Sequence, residues 1–140
     1  KRFTTTQGGH EMKRITTLLT ATALLLTVGV PTVLAKGGEG TRIVLKPAKA
    51  FPAAKGSAKF KATAEERELQ VEVEHIRRLA GKRVVFIVGG KKIATKKVNR
   101  FGAAEINRNS QLGQFVPNVQ AGTTVRVKTA GGAVIVKGSF

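Results

Sequence analysis

Short runs of alternating apolar and polar residues, separated by glycine-bearing turns, fill the chain from about residue 41 to its end. A period of two places successive side chains on opposite faces of an extended strand, which is typical of a half-buried β-sheet. No helical period stands out in this part of the chain. The pattern predicts eight strands, over residues 42–47, 57–63, 68–76, 83–88, 91–98, 103–108, 123–129 and 133–140.

Three of the predicted hairpins have a testable register, because a slip of one residue would turn the apolar face outward. A four-residue loop at 64–67 and the turns Gly89-Gly90 and Gly131-Gly132 each give one apolar face, and glycine tolerates the positive φ of tight hairpin turns. The predicted cross-strand pairs are Phe60–Val71, Ala62–Leu69, Ala58–Val73 and Lys59–Glu72 in the first hairpin, Phe86–Ile93 and Val84–Thr95 in the second, and Val127–Val136 in the third.

One-sided burial in all three hairpins predicts a single all-β domain over residues 41–140. Two antiparallel architectures of about seven to eight strands remain open, an immunoglobulin-like β-sandwich and a small barrel. Val134 is expected on the inward side of the third hairpin. The predicted core contains Phe60, Leu69, Val71, Phe86, Ile93, Val125, Val127, Val136 and Phe140.

One histidine and one long connection need separate interpretation. His75 has the strand parity of Leu69 and Val71, so it is expected at the end of the inward face, with a ligand or base role as the alternative. Residues 110–122 are expected to cross from one sheet to the other, and a ligand-binding loop is the alternative. The apolar residues expected beneath this crossing are Phe115, Val116 and Val119.

Residues 12–35 have the layout of a bacterial secretory signal peptide. The basic pair Lys13-Arg14 precedes a long, largely apolar run, which ends in a small-residue site at Ala35. We expect a signal helix cleaved after Ala35, so that the protein begins at Lys36 and is secreted or held in the periplasm or cell envelope without a membrane anchor. A permanent transmembrane anchor over 15–34 is the alternative.

The residues on either side of this segment are expected to lie outside the fold. Residues 7–11 can be encoded by a sequence that contains a ribosome-binding site just ahead of Met12. Residues 1–11 are therefore expected to be upstream sequence read as protein, with a short polar extension as the alternative. Residues 36–40 are rich in glycine and are expected to form a flexible leader.

The charge of the chain is strongly positive, at +17. Residues 36–140 keep 21 of the 25 lysines and arginines and 7 of the 8 acidic residues, a formal charge of +14. A charge of this size attracts polyanions, so the expected partners are an anionic polysaccharide or cell-wall polymer, or extracellular DNA. The alternative is that the charge only maintains solubility. Because cysteine is absent, no disulfide can staple the domain.

Residue types suited to catalysis are few. Aspartate and cysteine are absent, His75 is the only histidine after residue 11, and no serine lies in a nucleophile-elbow motif. This composition does not favour a zinc site. The glycine pairs also lack the strand–loop–helix setting of a phosphate cradle. The chain is predicted to be no enzyme and to hold no metal or cofactor.

One cluster of cations is a candidate binding site. The register around Gly89-Gly90 sets Arg83 opposite Lys96 and Lys82 opposite Lys97, and like charges in direct opposition destabilise a ladder. Either an anion binds there or the side chains spread into water. Phe101 is expected to be a lid on the core rather than a base-stacking platform. The candidate anion-binding residues are Arg77, Arg78, Lys82, Arg83, Lys96, Lys97 and Arg100.

Several short motifs mark turn and core positions: Gly56-x-Ala58-x-Phe60, Leu69-x-Val71-Glu72-Val73, Gly102-x-Ala104, Val116-Pro117, Gly122-x-x-Val125 and Gly138-x-Phe140. Together they resemble a loose group of small exported bacterial β-sandwich domains without an assigned activity. The resemblance covers nearly all of residues 41–140 and implies a fold, but no site.

Two functions are compatible with these features. The first is an exported, non-catalytic cationic module that binds anionic extracellular or cell-envelope polymers by charge. The second is a structural or protein-interaction module of the cell envelope, whose positive charge is incidental.

Overall fold

A computed structural model describes residues 40–140, which form one nearly closed, barrel-like sheet of eight antiparallel strands. The strands are β1 (Thr41–Pro47), β2 (Lys55–Ala62), β3 (Arg67–Glu74), β4 (Arg83–Val88), β5 (Lys91–Lys97), β6 (Ala104–Asn109), β7 (Thr124–Thr129) and β8 (Val134–Ser139).

The predicted all-β class is confirmed, and each predicted strand is present with ends that differ by at most two residues. The described residues contain no α-helix, only the single 3₁₀ turns Arg77–Leu79 and Ser110–Leu112. No helix among them is long and apolar enough to cross a membrane. The predicted signal peptide, the upstream segment and nearly all of the predicted leader fall on residues 1–39, outside the described part of the chain.

The strand order is β5-β4-β7-β8-β1-β2-β3-β6, so β5 and β6 are the two edges. Strand β1 joins the two halves, because it pairs with β2 over residues 41–45 and with β8 through Lys46 and Pro47. The edges approach each other, and Nη2 of Arg108 on β6 donates to the carbonyl oxygen of Ile93 on β5 at 3.3 Å. This near closure distinguishes a barrel from two stacked sheets.

The interior is filled by apolar side chains, and none of the described polar or charged residues is buried. Phe86 is its largest fully buried side chain, followed by Leu45 and Leu69. Six of the nine predicted core residues are buried; the other three, Phe60, Ile93 and Phe140, are partly buried and pack against the core. The rings of Phe60 and Phe140 meet edge to face, with centroids 6.3 Å apart.

The predicted register of the first hairpin is wrong by two residues. Phe60 lies opposite Leu69 rather than Val71, and Lys59 lies opposite Gln70 rather than Glu72. The turn is tighter than expected, because the Thr63 amide donates to the Glu66 carbonyl at 2.8 Å and the Thr63 hydroxyl accepts from the Glu66 amide at 3.1 Å. A shift of two residues preserves the faces, so Ala58, Leu69, Val71 and Val73 are buried as predicted, whereas Ala62 at the end of β2 is exposed.

The second hairpin has a β-bulge that the alternating pattern did not reveal. Lys92 lies opposite Ile87, but Ala94 lies opposite Phe86, so Ile93 is an extra residue in β5. The predicted pairs Phe86–Ile93 and Val84–Thr95 are therefore wrong. The bulge places the small Ala94 side chain against the buried Phe86 ring, and bulges are frequent on edge strands such as β5.

In the third hairpin, Val127 lies opposite Val136 as predicted, and a second bulge follows. Val134 then pairs with Lys128 and is only partly buried, while Ile135 is fully buried. The expectation that Val134 faces inward is corrected accordingly. The bulged strand also presents the Ile135 carbonyl, which accepts a hydrogen bond from the Ala48 amide at 2.9 Å.

Two further expectations are corrected by side-chain exposure. His75 is exposed because β3 ends at Glu74 and His75 adopts φ +60°, which turns the following Ile76 into the core instead. In the 110–122 connection, which leads from the edge strand β6 to β7, Val116 is buried as expected, but the Phe115 side chain is 59% exposed.

Candidate anion-binding site

Seven cations lie at one end of the barrel, and we call them the basic tip: Arg77, Arg78, Lys82, Arg83, Lys96, Lys97 and Arg100. All seven are exposed. They come from the β3–β4 connection, the start of β4, the end of β5 and the β5–β6 loop. The strand order places these four segments at one end of the domain.

The β3–β4 connection is fixed by apolar anchors and by one glycine. Ile76 and Leu79 are buried on either side of the arginine pair, so both arginines point outward. The Ile76 amide donates to the Gly102 carbonyl at 3.0 Å. Gly102 has φ +81°, and an added Cβ would lie 2.5 Å from the Arg77 backbone nitrogen. Only glycine allows the two loops to pack this closely.

The β5–β6 loop is held by Asn99. Its side-chain Oδ1 accepts from the amides of Phe101 and Ala103, each at 3.0 Å. The Asn99 amide also donates to the Ala103 carbonyl at 2.9 Å. Asparagine commonly bonds its own backbone in this way in turns. The loop that carries Arg100 is therefore an ordered turn, fixed from within.

The register across β4 and β5 differs from the predicted one. Arg83 lies opposite Lys97, not Lys96, because the bulge shifts the pairing by one residue. Lys82 is likewise not opposite Lys97, since its carbonyl accepts from the Val98 amide at 2.8 Å. Arg83 and Lys97 are thus the directly opposed like charges at the tip, and such a pair is destabilising.

Arg78 is occupied by a structural contact. Its guanidinium carbon lies 4.1 Å from the centroid of the Phe51 ring, and its Nη2 donates to the Ala50 carbonyl. The contact joins the β3–β4 connection to the β1–β2 loop, and a cation over an aromatic face is favourable. The sequence alone does not reveal this role, because no local pattern links Arg78 to a loop 27 residues earlier in the chain.

Phe101 is not the lid on the core that the sequence suggested. Its side chain is 63% exposed, and the guanidinium of Arg100 lies 4.7 Å from its ring centroid. The turn around Gly102 directs the ring outward, while Val98 and Ala104 fill the interior on either side of the loop. The tip therefore carries one exposed aromatic ring beside an arginine.

The electrostatic surroundings of the tip are one-sided. The only ion pair among residues 40–140 joins Arg42 and Glu72 at 3.2 Å, away from the tip. The nearest carboxylate along the chain belongs to Glu74, which lies opposite Lys55 in the register. Two other carboxylates, those of Glu66 and Glu105, accept from amide side chains of Asn109 and Gln70. None of the tip cations therefore forms an ion pair with a carboxylate of residues 40–140.

Apart from the basic tip, the described residues form a sizeable groove and no metal-binding cluster. A groove of about 620 Å³ beside β1 and β2 is lined by Val44, Pro47 and Pro52 among others, with the Arg42–Glu72 pair in its wall. The Ser57 hydroxyl donates to this same carboxylate at 2.6 Å. No three His, Cys, Asp or Glu side chains of residues 40–140 lie close enough together to hold a metal ion. The groove contains none of the tip residues.

No protein-family model, curated protein or solved structure matches this chain.

Proposed function

We propose that the protein is an exported, non-catalytic module that holds anionic polymers of the cell envelope or extracellular space by charge. The observation that supports this is the separation of charges over the barrel. All the carboxylates of the described residues lie on β3, on β6 or in the β2–β3 turn, and Glu105 is the only one after Glu74. The basic tip and strands β4, β5, β7 and β8 carry cations and no carboxylate.

Charge separation of this kind supports polymer binding better than it supports solubility. A surface that only keeps a protein soluble needs no particular arrangement of its charged residues. Positive and negative residues mixed over the surface are sufficient for solubility. A surface of one sign concentrates counter-ions and attracts an extended polyanion, which releases those ions when it binds. Arginine binds phosphate, sulfate or carboxylate through two parallel hydrogen bonds, and lysine acts as a point charge.

The test is binding of the purified protein to heparin, duplex DNA and cell-wall polymer across a salt series. We expect the affinity to fall log-linearly with salt. The tip variant Lys82→Gln/Arg83→Gln/Lys97→Gln should show a shallower slope. Its matched control, Lys55→Gln/Lys59→Gln/Lys61→Gln, removes the same charge from the carboxylate-bearing side.

Arg78 is left out of the tip variant because its contact with Phe51 is structural. Absence of binding, or binding that salt does not weaken, would contradict the proposed function. Equal losses of affinity in the tip and control variants would instead show that the basic tip is not the binding site.

The second candidate function, a structural or protein-interaction module, has one observation in its favour. Leu112 and Phe115 are 73% and 59% exposed and lie three residues apart in the 110–122 connection, and Phe115 lines a small pocket beside Gly89. Exposed apolar side chains close together are typical of a docking surface. The double variant Leu112→Ser/Phe115→Ser should leave polymer binding unchanged, and a loss of polymer binding in that variant would favour this connection over the charged surface.

A further inference from the structure

The half of the barrel formed by β5, β4, β7, β8 and β1 has no carboxylate on any of its strands. Outward side chains of neighbouring strands fall into rows that cross the sheet. One row runs from Lys92 to Ile87, then to Arg126, Lys137 and Lys46, each residue opposite the next in the register. We call its four charged members, Lys46, Lys92, Arg126 and Lys137, the cationic row.

The cationic row is exposed and unneutralised. All four side chains are exposed, whereas Ile87 between them is half-buried. None of the four takes part in an ion pair, since Arg42–Glu72 is the only one within residues 40–140. The row crosses five strands at intervals of 4.7–4.9 Å, so it spans about 19 Å. It is also separate from the basic tip, because Ile87 lies four residues from Arg83 along β4, or about 13 Å.

The spacing of these cations suits a repeating anion. Arg126 lies opposite Lys137, and Lys137 opposite Lys46, so three cations stand on three neighbouring strands. Like charges in direct opposition destabilise a sheet. A polymer with closely spaced anions would neutralise several of them at once, and its binding would be strengthened by release of the counter-ions they hold.

The surroundings of the row indicate recognition through charge alone. The neighbouring row on the side of the basic tip contains Thr95, Val85, Lys128 and Val134, and no aromatic side chain lies in either row. The exposed ring of Phe115 lies outside both rows, under the ammonium group of Lys91. Proteins that bind single-stranded nucleic acid by its bases use aromatic platforms beside the basic groove. Neither row offers a platform for bases or sugar rings, so a ligand here is held by its backbone anions.

The shape of the surface selects among such polymers. The outer face of a barrel is convex, so a flexible chain can follow the row, whereas duplex DNA is stiff over about 150 base pairs. Lysine binds phosphate as a point charge and arginine binds it through its planar fork. We propose that the cationic row binds a flexible, linear phosphate polymer laid across the strands and held through its phosphates. This inference rests on the function proposed above and gives it a second site and a ligand chemistry.

The experiment compares three variants that each lose three positive charges. The row variant is Lys92→Gln/Arg126→Gln/Lys137→Gln, and the tip and control variants are those described above. Binding of each purified protein to long-chain inorganic polyphosphate, tripolyphosphate and a short DNA duplex is measured by calorimetry across a salt series. Far-ultraviolet circular dichroism and thermal unfolding verify that each variant is folded.

We expect the row variant to lose at least about tenfold more affinity for long-chain polyphosphate than the control variant does. Its log–log salt slope should be shallower by roughly two to three, because each lost phosphate contact lowers the slope by about one. Tripolyphosphate is too short to span the row and should discriminate far less between the row and control variants. Binding of duplex DNA should depend less on the cationic row than binding of polyphosphate does.

Equal losses in the row and control variants would overturn the cationic row as a site while leaving polymer binding by net charge intact. A loss of tripolyphosphate binding as large as that of the long chain would overturn the claim of a linear track. If the unaltered protein binds none of the polyanions at low salt, the proposed function itself fails, and the row fails with it.

Discussion

Gly102 is the residue on which the position of the basic tip depends most directly. It has φ +81°, and a Cβ there would lie 2.5 Å from the backbone nitrogen and 2.7 Å from the Cα of Arg77. Neither neighbour is the far end of a flexible side chain, so the two loops must separate if alanine replaces glycine. Separation would also lengthen the hydrogen bond from the Ile76 amide to the Gly102 carbonyl, now 3.0 Å.

The cost of Gly102→Ala has two parts. A left-handed backbone costs a non-glycine residue about 1–2 kcal/mol. Forcing extra atoms into a packed region typically costs a further 1–3 kcal/mol or so. We therefore expect Gly102→Ala to lower the free energy of unfolding by about 2–5 kcal/mol. Gly90→Ala is the matched control, because Gly90 has φ +78° but no atom within 4 Å of an added Cβ. It should show only the backbone cost.

The assay is urea unfolding followed by circular dichroism, with the slope m of each variant fitted independently. Because m for small domains is about 1–3 kcal/mol per molar urea, the two variants should differ by about 1 M in midpoint. Equal midpoints for Gly102→Ala and Gly90→Ala, at equal m, would refute the close approach of the two loops. A lowered m in one variant would instead report a change in the unfolded or native ensemble.

The remaining predictions concern the core, the loop contacts and the N-terminus. Phe86→Ala should destabilise the domain by about 3–5 kcal/mol, since Phe86 is fully buried, and an unchanged melting temperature would contradict the barrel interior described here. Arg78→Gln should lower the free energy of unfolding by about 1 kcal/mol and speed proteolysis of the β1–β2 loop. An unaltered rate of cleavage would show that the contact with Phe51 does not stabilise this loop. Arg42→Ala should cost less than about 1 kcal/mol, and a loss that grows with salt would contradict an exposed ion pair. Mass spectrometry of protein from the native host should find Lys36 at the N-terminus, and a membrane-retained product that keeps residues 15–34 would favour the anchor instead.

The strands and their inward faces could be predicted from the sequence because both follow from local periodicity. Alternation of apolar and polar residues determines which side chains of a strand share a face, whatever the partner strand. Val125 and Val127 were assigned to the core on this basis, and both are fully buried. The same reasoning brought the seven tip cations to one end, since hairpin turns reverse the chain at known places.

Residue-level pairing could not be predicted from the sequence. The bulge at Ile93 brings Ala94 opposite the buried Phe86, and such a match between side chains of two strands is a property of packing that local alternation does not contain. His75 was misplaced because nothing in the alternation marks the change to positive φ after Glu74. Each error came from a departure from regular strand geometry.

By itself, then, the sequence determined the all-β class, the eight strands, their buried faces and the excess of positive charge, all of which depend on residue type and short-range spacing. Tertiary structure alone decided the near closure into a barrel, the contact of Arg78 with Phe51 and the alignment of Lys46 with Lys137 and Arg126. These features join residues far apart in the chain. Their positions follow from strand order and bulges, which are set by how side chains of different strands fill one shared interior.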